Sequence, residues 1–100
     1  ILLFLFLTNN SFAQEYTISG SITDAETGED LIGVAIFIMG TTTGTATNTY
    51  GFYSFSLPSG KHVVSYSYIG YRTITKDVTL TKDMTINIQL ELDNSILEEV

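Results

Sequence analysis

The sequence has no cysteine and no tryptophan, a single proline, a single histidine, and only four lysines and arginines among 100 residues. Without cysteine it can form no disulfide framework and can carry no lipid on a cysteine. Four basic residues against eleven acidic ones leave a net charge of −7. That balance argues against a nucleic-acid partner, whose phosphates require Lys and Arg, and against docking on an anionic lipid surface. The acidity serves solubility. The lone histidine, His62, has no companion at metal-ligand or general-base spacing. No H-x-x-E, G-x-S-x-G or P-loop pattern occurs, and Gly40-Thr41-Thr42-Thr43-Gly44 lacks the G-K-[ST] ending that cradles a phosphate. Neither a catalytic residue nor a cofactor is assigned.

What the sequence does have is alternation. The central stretch, Leu31 to Tyr53, opens on an apolar, β-branched run to Met39, which reads as a strand with two apolar faces. Such a strand is central in its sheet, or covered on its outer side by a neighbour. Gly40 ends the run. A threonine-rich segment follows, with Thr45 to Thr47 as a short edge strand. Asn48-Thr49-Tyr50-Gly51 then turns the chain into Phe52 to Leu57, which Pro58 and Gly60 close.

Before this stretch, Tyr16 to Asp24 places Tyr16, Ile18, Gly20 and Ile22 on one face and Thr and Ser on the other. Ala25 to Asp30 is a polar hairpin with Gly28 in its turn. Beyond it, Lys61 to Ile69 and Tyr71 to Leu80 read as strands interrupted at Gly70, where a bulge or corner is expected. Met84 to Leu92 has the cleanest alternation, with Met84, Ile86, Ile88, Leu90 and Leu92 inward. Turn signals about every ten residues, without a 3.6-residue period, predict an all-β Greek-key β-sandwich of about seven strands.

Two clusters are candidates for binding. Asp24, Glu26, Glu29 and Asp30 crowd one hairpin, yet the EF-hand order of acids and glycine is absent, so a solvated turn is favoured over a Ca²⁺ site. Tyr53, Tyr66, Tyr68 and Tyr71 could form a stacking patch for sugar or peptide, but their parity mostly follows the inward set, so packing is favoured.

The ends differ from the middle. Ile1 to Leu7 is wholly apolar and too short to span a bilayer as a helix. Small residues at Ser11 and Ala13 around Phe12 fit a secretory cleavage site. Residues 1–13 are thus expected to be a signal peptide, truncated at its start and cut between Ala13 and Gln14; a buried N-terminal strand is the alternative. Residues 14–93 form the expected sandwich domain. Residues 94–100 form an exit segment in which Ile96, Leu97 and Val100 are set among Glu98 and Glu99, a pattern that suits a tether running into another element.

In this order the motifs resemble a known family. DLIGVAIFIMGTTTGTATNTYGFYSFSLPSG followed by VSYSYIGYRT is similar to the carboxypeptidase regulatory-like domain, a transthyretin-like β-sandwich. The form with GTTTGTATN, YIGY and a terminal LEEV resembles the domain at the N-terminus of TonB-dependent outer-membrane receptors of the starch-utilisation type. The likeness runs over roughly Tyr16 to Val100. The family usually has Asp where Asn48 stands and often a basic residue where Met39 stands; neither change is expected to alter the fold, since Asn tolerates left-handed turns and strand faces accept Met.

The resemblance implies a non-catalytic accessory domain on the periplasmic face of the outer membrane. Its expected partners are TonB, reached through the segment after Val100 by strand pairing, the plug and barrel of the same chain, and a surface lipoprotein partner of the receptor. A structural or binding module attached to a secreted enzyme or adhesin is the competing expectation, since this sandwich is widely reused.

Overall fold

The computed structural model describes residues 14–94. They form eight strands and no α-helix, arranged as two sheets. β1 (Glu15–Asp24) is the spine of the first sheet. It pairs antiparallel with β4 (Phe52–Pro58) on one side and parallel with β7 (Met84–Thr85) and β8 (Ile88–Leu90) on the other. The second sheet has β2 (Ala35–Ile38) between the short β3 (Gly44–Ala46) and β5 (Gly60–Ser67), with β6 (Ile74–Leu80) on the far edge. The expected all-β sandwich is the architecture found.

Alternation decides what lies between the sheets. Ile18 and Ile22 of β1, Tyr53 and Leu57 of β4, and Ile88 and Leu90 of β8 face Ile36, Ile38, Val64, Tyr66, Val78 and Leu80 of the second sheet, all of them buried. The outer face of the first sheet is mostly Ser and Thr: in register, Thr17 lies opposite Ser56 and Ser19 opposite Ser54, with the exposed Phe52 opposite Ser21. The outer face of the second sheet is less polar, with Phe37, Met39 and Val63 each more than a third exposed. β2 is central, as its apolar composition implied, but no described residue covers its outer side.

Three strands differ from the sequence reading. The run from Leu31 becomes a strand only at Ala35, because Gly33 turns with φ +84° and Thr47 pins the loop around it. The strand expected from Tyr71 starts at Ile74; Tyr71 instead makes an isolated bridge to Leu92. The stretch Met84 to Leu92 is divided, so the strands number eight. Its register is nevertheless continuous: Ile18 lies beside Met84 and Ile22 beside Ile88. In the gap the side chain of Asn87, rather than a main-chain carbonyl, accepts from Ser21 N at 2.9 Å.

The gap coincides with Gly20, where any Cβ would fall 2.0 Å from the Ile86 carbonyl oxygen. That carbonyl also accepts from the Tyr53 hydroxyl at 2.7 Å. Since Tyr53 has one proton to give, the contact of 3.0 Å between the two tyrosine hydroxyls is donated by Tyr66. A relay from Tyr66 through Tyr53 to Ile86 thus crosses the core from one sheet to the other. The two rings meet edge to face at 5.8 Å, which adds to the area they bury, and burial pushes both hydroxyl pKa values up.

Candidate functional site

β1 and β8 run in parallel, so both finish at the same pole of the sandwich, and the chain leaves there. Three segments meet at this pole: the hairpin 25–30, the loop 68–73 and residues 91–94. Asp24, the last residue of β1, organises them. Its Oδ1 accepts from Glu26 N at 2.7 Å and Thr27 N at 3.0 Å, an Asx-type turn that Gly28 N closes on the Asp24 carbonyl at 2.9 Å. Its Oδ2 accepts from the Tyr71 hydroxyl at 2.6 Å. The Tyr71 hydroxyl first, then the Thr27 and Glu26 amides, hold the Asp24 carboxyl below the usual carboxylate range. The same bond pushes the Tyr71 hydroxyl up to about 12.

The loop grips the departing chain. Arg72 N donates to Glu91 O and Asp93 N to Gly70 O, both at 2.9 Å, on either side of the Tyr71–Leu92 bridge. The Tyr68 and Tyr71 rings lie 5.5 Å apart, tilted by 37°. Ile69, at the tip, is 90% exposed. Asp24, Glu26, Arg72, Glu91, Leu92 and Asn94 line a shallow depression of about 370 Å³ beside it. The Arg72–Glu91 pair across it is 3.9 Å apart and solvated on both sides, so it contributes little.

The sequence candidates fall out as follows. The acidic hairpin gathers no metal site: no group of three or more His, Cys, Asp or Glu among the described residues could hold an ion, and both oxygens of Asp24 are engaged. Tyr53 and Tyr66 are core residues, while Tyr68 and Tyr71 are half-buried parts of the grip on the exit. His62 donates from Nε2 to Pro58 O at 2.7 Å. It borders an open cleft of about 530 Å³ at the opposite pole, with Met39, Lys61 and Asp77. Gln14 is exposed and its carbonyl accepts from Ser59 N at 2.8 Å. Ala13 and the exit residues Ile96, Leu97, Glu98, Glu99 and Val100 lie outside the described residues.

Sequence reasoning missed the uses of Asp24, Thr47 and Asn48. Asn48 does not take a left-handed turn, since no non-glycine residue among those described has positive φ. Instead its Oδ1 accepts from Tyr50 N and Phe52 N at 2.9 and 3.0 Å. A usable signal was present in the short side chains, Asp24 before Thr27-Gly28 and Asn48 before Gly51, which satisfy nearby amides in turns.

A two-sheet β-sandwich with a gripped exit strand is the class of molecule this geometry defines. The family model of the CarboxypepD_reg-like domain matches residues 18–100, and the chain belongs to that family. It is 38% identical over 96 residues to the TonB-dependent receptor SusC of Bacteroides thetaiotaomicron, covering 96% of this chain and 9% of that protein. It is 32% identical over 88 residues to TonB-dependent receptor P3 of Formosa agariphila, covering 88% of this chain and 9% of the relative. The chain therefore spans less than a tenth of the receptors it matches.

Solved structures share the fold alone. The C-terminal domain of the shaft pilin SpaA from Lactobacillus rhamnosus GG aligns with a TM-score of 0.63 at 12% identity, over 80% of this chain and 99% of that one. The 5-hydroxyisourate hydrolase of Klebsiella pneumoniae aligns at 0.62 and 18%, over 78% and 91%.

Proposed function

We propose that this chain is the non-catalytic, periplasmic N-terminal domain of a TonB-dependent outer-membrane receptor that imports a nutrient, glycan or peptide. The observation that carries the reading is the 38% identity to SusC across 96% of the chain. The pole where the strands end and the chain leaves supports it, because a domain preceding a coupling segment must hold and aim its exit. In this reading residues 1–13 direct export and are removed before Gln14. Residues 94–100 lead toward an extended stretch that pairs with an edge strand of TonB, and the plug and barrel follow. A surface lipoprotein acts with the receptor on the outer side.

The test is energy-dependent import in cells whose receptor lacks the segment immediately after Val100, with barrel levels checked by blotting. Import is expected to stop while the barrel remains. Normal import would replace this reading with that of a structural module on a secreted or surface protein.

A further inference from the structure

We propose that the loop 68–73 is a latch over the exit strand, which opens as a unit and frees residues 91–94 while the two sheets stay packed. The observations divide the exit into an anchored part and a gripped part. Leu90 is fully buried and its carbonyl accepts from Ala25 N at 2.9 Å, so the strand is fixed up to that residue. Immediately beyond it Glu91 is exposed and Leu92 is 45% exposed. The backbone bonds across this part, Arg72 N to Glu91 O and Asp93 N to Gly70 O, come from the loop.

The loop is held by partial burial only, with Tyr68 and Tyr71 packed against the edge of the core. Ile69, Arg72 and Thr73 are exposed, and Tyr68, Gly70 and Tyr71 are half-buried. Its turn is closed by Tyr71 N donating to Tyr68 O at 3.0 Å, with Gly70 at φ +86°. Its tie to the first sheet is the Tyr71 hydroxyl on Asp24, a carboxylate that two backbone amides already hold in place. A segment whose side chains are at most half-buried and whose backbone bonds face solvent opens at a fraction of the global free energy. Because consecutive residues of one strand are gripped by consecutive residues of one loop, the bonds part together. Four freed residues extend the tether by roughly 13 Å. That gain in reach matters for a coupling segment only if the function proposed above is right; the latch does not depend on it.

Hydrogen exchange followed by mass spectrometry on the full-length chain tests the latch, comparing Tyr71→Phe with the parent. Amides in 70–73 and 91–93 are expected to exchange about tenfold faster, as the loss of a bond to a charged acceptor implies, while those of β1 and β4 are unchanged. Unchanged exchange at the exit, or equal acceleration throughout, would overturn the latch. Should the variant not fold, the parent decides alone in low denaturant. Exit amides that open with a smaller free energy and weaker denaturant dependence than β1 amides support the latch, and identical values refute it. Import by a receptor carrying Tyr71→Phe reads the other link: faster local exchange with unaltered import would leave the latch standing and remove its role in coupling.

Discussion

At the residue scale, polar side chains stand in for main-chain partners wherever the strands stop. Thr47 is 5% exposed, and its hydroxyl donates to Leu31 O at 2.6 Å and accepts from Val34 N at 2.9 Å. Valine has the same shape and neither function, so Thr47→Val leaves a buried amide and a buried carbonyl short of a partner. A loss of about 2 kcal/mol is expected, read by urea unfolding, with Thr47→Ser much closer to the parent. A valine variant within ~0.5 kcal/mol of the parent, the range of neutral surface changes, would show that water replaces the hydroxyl.

Asp24 and Tyr71 form a pair whose contribution to the fold depends on pH. The folded carboxyl titrates below its ordinary value of 3.8, so its contribution is complete above that pH and is lost as pH falls through the lower folded value. The hydroxyl is shifted the other way, from 10.0 to about 12; its contribution is complete below pH 10 and is lost as pH rises through 12. The melting-temperature gap between the parent and Tyr71→Phe should therefore be flat from about pH 5 to 9 and narrow at both extremes. A gap that stays constant down to pH 2 would mean that the bond is absent in solution.

At the element scale, two glycines place the breaks for different reasons. Gly20 lies where β1 passes the Ile86 carbonyl, with room for a hydrogen only. Gly20→Ala must push the β7–β8 stretch off β1 and weaken the tyrosine relay, so destabilisation of more than ~2 kcal/mol is expected by thermal unfolding. Gly70 has open space around it and is needed for its φ of +86°. Gly70→Val should cost ~1–3 kcal/mol from backbone strain, and Gly70→Asn distinctly less. Equal melting temperatures for the valine and asparagine variants would show that the turn re-forms another way.

These elements also mark how far the sequence could be read. Strict alternation located β1, β4, β5 and the inward residues of β8, because one face of each packs on the other sheet and the pleat has a period of two. The same signal overran at Leu31 and Tyr71. Apolar residues continue there because the loops are themselves packed, and periodicity does not distinguish a packed loop from a strand. It also carried Met84 to Leu92 as one strand, since the register really is continuous and only a side chain substituting for a carbonyl divides it. The grip on the exit was not legible. It joins Asp24, Tyr71 and Leu92, which are far apart in sequence, and nothing local reports that topology brings them together.

At the scale of the whole molecule, the direction of the strands decides what removing the domain should do. β1 and β8 are parallel neighbours, so the described chain enters at one pole, beside Ser59, and leaves at the other, beside Tyr71. In the receptor reading nothing upstream of Gln14 persists after export, and the sandwich is therefore a terminal module whose one covalent connection is its exit. Excising Tyr16 to Leu92 while keeping the export signal and residues 93–100 should leave barrel assembly intact, because the described strands pair with one another within the two sheets. The coupling segment would then hang from a free end, with its origin no longer held at a fixed pole. Energy-dependent import should fall several-fold at unchanged barrel levels, in contrast to its complete loss when the segment after Val100 is removed. A receptor that imports normally without the sandwich would show that neither holding nor aiming the exit matters for uptake. One whose barrel disappears would show that the domain serves assembly.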